Sequence, residues 1–287
     1  TALAVPESVG GLGMPLVARP TYRSSYWDVP TAVEAFRILT CGTRTIVVTR
    51  DPVALYELSG ASLTQLLDLS ATSFSAAVLS EAVWSDDKVM LATDQGLIAL
   101  DLDAGDEPLL LRLDNTTYAT SALATKQGRT LLRQNGKLYA LTFPSPDVIA
   151  QQMPNGYLWS DDTYTYAAGT DLKLYGYVTS SGDSYGGNWN ELYTVGAAIL
   201  RIFRDPDDTT TPDVWVGARN SVHRAQPTWS SDGTFTGDVL ALAKWRGYVW
   251  AAGTIGGLWR RTEAGWSQYD QLGTLGQIND MAVVDDR

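Results

Sequence analysis

The chain holds a single histidine, His223, and a single cysteine, Cys41. Any device that pairs a nucleophile with an imidazole base therefore has one base to draw on. His223 stands in Ser221-Val222-His223-Arg224 within a strand-like run, and Cys41 lies far upstream beside Gly42. Nothing in their spacing joins them, so His223 reads as an ordinary strand histidine and no catalytic residue is assigned. The same two residues fall short of the nitrogen and sulfur ligands that a zinc site takes. Acidic pairs recur at Asp86-Asp87, Asp161-Asp162, Asp207-Asp208 and Asp285-Asp286. Calcium wants about six to eight oxygens, and Asp205, Asp207 and Asp208 form the best local set. That stretch lacks the glycine and the distant glutamate of a calcium loop. Turn chemistry explains the pairs better, because a short carboxylate bonds its own backbone and bends it. No metal and no cofactor is expected. Glycoside cleavage needs two carboxyl groups about 5–10 Å apart in a cleft. The acids are numerous enough to supply a pair, yet no position is singled out.

The contact candidates are aromatic and amide side chains. Residues 180–190 read Ser-Ser-Gly-Asp-Ser-Tyr-Gly-Gly-Asn-Trp-Asn, an insertion whose composition suits adaptable contacts. Tyr185, Asn188, Trp189, Asn190, Tyr193 and Trp229 are the candidate binding residues. A tryptophan over a sugar ring with amide donors beside it is one way to hold a glycan. The bland alternative is a solvent loop whose tryptophan folds back on the sheet edge.

Composition narrows the partners. Of 287 residues, 21 are basic and 32 acidic, giving a net charge of −11. So acidic a chain repels phosphates and anionic lipid, and its densest basic spot is the pair Arg260-Arg261, so nucleic acid is not expected. No stretch reaches the ~18 apolar residues of a membrane helix, so membrane insertion is not expected either. The opening Thr1-Ala2-Leu3-Ala4-Val5-Pro6 lacks the charged and apolar regions of a secretory leader. One cysteine allows no intrachain disulfide.

The elements that must position these residues are strands. Short apolar or alternating runs recur, cut by Gly, Asp, Asn, Ser or Pro, and helical periodicity is nearly absent. Residues 83–100, VWSDDKVMLATDQGLIAL, are echoed at 158–175 by LWSDDTYTYAAGTDLKLY, an offset of about 75 residues or twice ~37. Looser copies lie at 129–141, 213–225 and 243–261. Repeats of this length with about four strands each mark the blades of a β-propeller. The second unit reads as strands near 79–84, 88–93, 97–102 and 108–113, with Gln95-Gly96 as one turn. The last reads as 239–245, 248–253, 257–261 and 266–271. The others fall near 33–70, 119–151, 156–196 and 198–237.

The fold class is thus all-β. The expected architecture is a propeller of about six four-stranded blades over 33–287, preceded by an irregular, Pro- and Gly-rich arm over 1–32. Residues 278–287 look like a further first strand, which would close the ring beside the N-terminal strands or join a seventh, composite blade.

The phrase Gly253-Thr254-Ile255-Gly256-Gly257-Leu258-Trp259-Arg260 with Gly265-Trp266, and the stretch Trp229-Ser230-Ser231-Asp232-Gly233-Thr234-Phe235, resemble sialidase or Asp-box propeller repeats. In that family the Asp and Gly shape a hairpin and do no catalysis. The arginine triad and Tyr–Glu pair of a sialidase have no placement here, so the resemblance implies fold and not hydrolysis. Loosely repeating, Trp-rich propellers of bacteriophage tails and virions are also similar, where they connect or adsorb. These likenesses imply a non-enzymatic structural and interaction propeller. It would contact other protein subunits of an assembly, in homo-oligomers or otherwise, and reside in a virion assembled in the cytoplasm. The alternative is a lectin-like, carbohydrate-binding propeller at a cell surface, hence extracellular. The second alternative is a glycan hydrolase.

Overall fold

The computed structural model describes residues 35–59, 62–85, 87–103, 108–111, 120–126, 129–142, 145–150, 154, 156–160, 164–179, 187–205, 213–225, 228–269 and 277–282. The expected arm over 1–32 lies outside them. Among the described residues there are twenty-two strands and one 3-10 turn, Leu69–Ala71.

The first sheet runs β1 (Ala35–Cys41), β2 (Arg44–Thr49), β3 (Ala54–Ser59), β4 (Ser62–Asp68), each strand antiparallel to the one before. The second repeats that meander with β5 (Leu79–Ser85), β6 (Lys88–Thr93), β7 (Gly96–Leu100) and β8 (Leu109–Leu111). The third is β9 (Thr120–Lys126), β10 (Arg129–Gln134), β11 (Lys137–Thr142) and β12 (Ser145–Ala150). The fourth is β13 (Leu158–Ser160), β14 (Thr165–Ala168), β15 (Lys173–Thr179) and β16 (Gly187–Thr194). The remaining strands form a continuous array of β17 (Ile199–Arg204), β18 (Val214–Arg224), β19 (Ser230–Trp245), β20 (Tyr248–Gly253), β21 (Leu258–Thr262) and β22 (Gly265–Tyr269).

Local chemistry fixes the hairpins. Asn135-Gly136, between β10 and β11, has φ of +50° and +72°, and Arg246-Gly247, between β19 and β20, has +49° and +77°. Two successive left-handed residues make the primed turn whose twist matches that of paired strands. The turn from β6 to β7 is Asp94-Gln95, and Gly96 already pairs with Thr93. That corrects the expected Gln95-Gly96 turn by one residue.

In the array, β18 doubles back on itself. An extended run of eleven residues would span ~36 Å. Instead, the amide of Ala225 donates to the carbonyl of Val214 at 2.9 Å, and Arg224 forks onto Asp213 at 2.8 Å. Asn220, at φ +62°, makes the reversal. β19 then pairs by its first half with the later part of β18 and by its second half, from Val239, with β20.

Both faces of the second sheet's central strands are buried, because that sheet lies between the first and the third. Alternate residues of β6 and β7 show this. Val89, Leu91, Ile98 and Leu100 join Ile46, Val48 and Leu55 of the first sheet. Met90, Ala92, Leu97 and Ala99 join Leu132, Tyr139 and Leu141 of the third. Burying each Leu, Ile or Val of this kind contributes about 1.5–3 kcal/mol, and no single sheet could do so alone. The first strands of successive sheets also touch, β1 to β5, β5 to β9, β9 to β13, β13 to β17 and β17 to β19, so they surround a common axis.

Residues 277–282 carry no strand, contrary to the expectation over 278–287; residues 283–287 lie outside the described set. The segment is held mainly by side chains and so makes no ladder. Ile278 N donates to Gly253 O at 3.2 Å, and Asn279 Nδ2 donates to Ala35 O at 2.9 Å. It thus spans from the end of β20 to β1.

Candidate functional site

Five first-strand segments carry a bulge at the same place. Phe36, Ser80, Ser121, Leu200 and Leu240 are each the unpaired residue where the partner strand advances by one. A bulge twists the strand and re-aims its side chains. Phe36, Ser80, Leu200 and Leu240 all line one cavity of about 350 Å³, with Arg50, Gly156, Tyr157, Gln277 and Asn279. In three of these strands the next residue is charged: Arg37, Glu81 and Arg201.

Those three, with Tyr157 and Asp280, form a polar knot near the axis. Arg37 grips Glu81 with Nε at 2.6 Å and Nη2 at 3.0 Å. Arg201 Nη2 donates to Asp280 Oδ1 at 2.8 Å, and the amide of Ile38 donates to Asp280 Oδ2 at 3.1 Å. Burial works against the Arg37 guanidinium, but Glu81 outweighs it and holds Arg37 above its ordinary range. Burial likewise opposes the charge on Arg201, and the carboxylates of Asp280 and Glu81, with a hydrogen bond to the Tyr157 oxygen, overcome it. Burial pushes the Tyr157 phenol up, so it stays protonated. Arg37, Glu81 and Tyr157 also line a second cavity of about 280 Å³, shared with Arg201, Asp280 and Trp84. The knot therefore borders both cavities, a first and a second compartment. The two carboxylates in it are each matched to an arginine. Arg50, at the first compartment, sits 3.9 Å above the Phe36 ring and is exposed, with no acid partner among the described residues.

The residues expected from sequence lie elsewhere. Trp189 and Asn190 are on β16. Trp189 is half-buried, meets Tyr177 ring to ring at 5.2 Å, and packs against the cluster of Leu131, Leu138, Leu158 and Ala167. Its indole Nε1 is buried and has no hydrogen-bond partner among the described residues. Asn188 lies opposite Val178 and the exposed Asn190 opposite Gly176. Tyr185 is outside the described residues, as are Asp207 and Asp208. Tyr193 and Trp229 do meet, but as rings stacked on each other at 5.2 Å and 12°. The sequence marks both as contact residues, and both are half-buried beside Val195, Val214 and Val216.

Tyr193 OH and Ser221 Oγ lie 3.2 and 2.9 Å from the two nitrogens of His223. Burial pulls the His223 imidazole below its usual value. His223 contacts a serine, yet it is buried and its other nitrogen meets a phenol rather than an orienting carboxylate. Burial also pushes the Cys41 thiol up to about 12, which leaves it unreactive at neutral pH.

Asp205 is bound to Lys244 Nζ at 2.7 and 2.6 Å, so an ammonium already occupies the place a cation would take. Among the described residues no group of three His, Cys, Asp or Glu side chains is placed to hold a metal. Asp232 of the Asp-box-like stretch does not shape a hairpin. It is the extra residue of a bulge between Val222/Gly233 and His223/Ser231. Its carboxylate is thereby aimed at Arg261, with bonds of 2.6 and 3.0 Å, and at Trp266 Nε1 at 2.9 Å. It ties β19 to β21 and β22.

No family model matches the sequence, and no curated protein matches it. Solved structures do. The extracellular domain of a putative one-component system, BT4673, from B. thetaiotaomicron is 15% identical, with a TM-score of 0.69 over 90% of this chain and 37% of that one. The chain thus spans little more than a third of that domain. YCF48 bound to D1 peptide is 14% identical, with a TM-score of 0.65 over 86% of each chain. YCF48 from Cyanidioschyzon merolae is 14% identical, with a TM-score of 0.61 over 86% of this chain and 88% of that one. These likenesses concern fold: the chain is an all-β propeller. Neither the Asp-box nor the virion resemblance is shown at the level of a family.

Proposed function

We propose that this chain is a non-enzymatic binding propeller that takes an extended segment of a partner protein at its axial cavity. The observation that carries this reading is the recurrent bulge, which turns Phe36, Ser80, Leu200 and Leu240 from four separate strands into one cavity wall. A mixed apolar and polar concavity with an uncommitted arginine suits a peptide. The fold likeness to YCF48, solved with a D1 peptide bound, is in keeping with it. A hydrolase would need an axial carboxylate free to give or take a proton, whereas Glu81 and Asp280 are tied to arginines. The proposed ring has six four-stranded blades, β18 and β19 each serving two strands, with residues 277–282 filling the inner place between the last sheet and the first. Membership of a virion or tail assembly is the narrower form of the proposal, and rests on the Trp-rich, loosely repeating sequence.

The test is selection of random peptides on the purified full chain. Peptides that bind, and that lose at least tenfold in affinity when Leu240→Asp is made, are expected. Failure to select any peptide, or binding indifferent to Leu240→Asp, would remove the axial reading. Glycan-array binding lost with Trp189→Ala would favour the lectin alternative instead.

A further inference from the structure

We propose that the axial knot is a receptor for a carboxylate carried on an extended peptide, and that the chain's own segment 277–282 occupies it as a stand-in. The inference rests on the binding reading above and specifies the ligand's chemistry.

Asp280 is held as a bound ligand would be. One oxygen takes a guanidinium bond from Arg201 on β17, the other a backbone amide from Ile38 on β1. A charged donor and a fixed amide converging on one carboxylate is a common anion-recognition arrangement. Both donors belong to strands that are built without the segment. Arg37, beside them, is committed to Glu81, and its third nitrogen bonds the carbonyl of Phe36 at 3.0 Å. The demand for an anion therefore falls on Arg201, a half-buried cation whose carboxylate partner is Asp280. The segment that meets this demand belongs to no strand, and besides Asp280 it is anchored by Ile278 N on Gly253 O and by Asn279 Nδ2 on Ala35 O. It passes from the first compartment, which Gln277 and Asn279 line, to the second, which Asp280 lines. A competing peptide entering by the same path would put its acidic residue at Arg201 and its neighbours against Phe36, Leu200 and Leu240. Arg50 would attract a second acid at the mouth. Self-occupancy lowers the apparent affinity for a partner by the fraction of chains in which the site is vacant, so binding is gated by release of 277–282.

The probe is a fluorescein-labelled peptide with the sequence of residues 275–284, followed by anisotropy with the full chain. The expected result is binding to Asp280→Ala or Asp280→Asn chains, at least tenfold weaker binding to the unaltered chain, and at least tenfold weaker binding of the peptide whose aspartate is replaced by asparagine. Folded variants that ignore the peptide, or that bind the aspartate and asparagine peptides alike, would overturn the proposal. Loss of the fold in both variants would overturn it too, since an exchangeable segment cannot be one the ring needs in order to stand. If random peptides without acids bind at the Leu240 wall while this probe does not, the carboxylate specificity falls and the binding reading survives.

Discussion

Replacing Glu81 by Gln tests whether the axial ion pairs hold the ring together. The side chains of Arg37 and Glu81 are 12% and 8% exposed, so their pairing is close to that of an interior pair. Removing one partner of such a pair costs about 3–5 kcal/mol, because the other charge is left buried and unmatched. Arg37 would keep its bond to the Phe36 carbonyl and its seat 4.1 Å from the Phe36 ring. The introduced amide could still accept from the Ala82 backbone N–H, as the Glu81 carboxylate does now. The lower end, about 3 kcal/mol, is therefore expected. For a chain of this size that is a fall in Tm of roughly 5–10 °C. Removing both charges as Arg37→Met with Glu81→Leu should restore stability to within about 1 kcal/mol of the parent, since no charge is then stranded. Urea unfolding followed by tryptophan fluorescence reads both. A Glu81→Gln chain within about 0.5 kcal/mol of the parent would refute the reasoning, placing the pair with solvent-screened ones that contribute little.

Two further outcomes are expected. A Cβ at Gly233 would stand 2.5 Å from Trp266 Cδ1, and Trp266 is fixed by Asp232 and by edge contacts with Trp215 and Phe235. Gly233→Ala should therefore cost about 1–3 kcal/mol in the same unfolding assay, and a neutral result would mean that the indole yields. His223 is held below its ordinary value, near 6.5. The unfolded chain then binds the proton more readily, so the stability His223 contributes is complete above pH ~6.5 and is lost as pH falls. Between pH 7 and 5, the parent should lose more stability than His223→Gln, and parallel curves would contradict this.

The sequence made the sheets visible where local chemistry is strong. Asn135-Gly136 and Arg246-Gly247 announce primed turns, and β20 falls on the residues read from its apolar run, Tyr248–Gly253. β18 and β19 show a different limit. Their alternation marks strands, but only tertiary pairing shows that one run folds back and the other serves two neighbours. The axial knot was illegible for a third reason. Its members come from different repeats and from residues 277–282, and the bulges shift strand parity, so Arg37, Glu81 and Arg201 look like stray charges in apolar strands. Aligning Phe36-Arg37, Ser80-Glu81 and Leu200-Arg201 as equivalents is the signal that would have found them. The aromatic set failed oppositely. Trp189, Tyr193 and Trp229 sit in polar surroundings along the chain, yet their rings are long enough to reach apolar clusters.

The unbroken course of β19 has a mechanical meaning. Between the fourth sheet and β17, residues 195–198 belong to no strand, and such chain can act as a pivot. Between the partners of β18 and those of β20 the backbone is hydrogen-bonded on both sides of the crossing. Those two sheets must tilt as a single plate. Any breathing of the ring is thereby displaced to other boundaries, among them the adjacent one, where an irregular segment bridges β20 and β1.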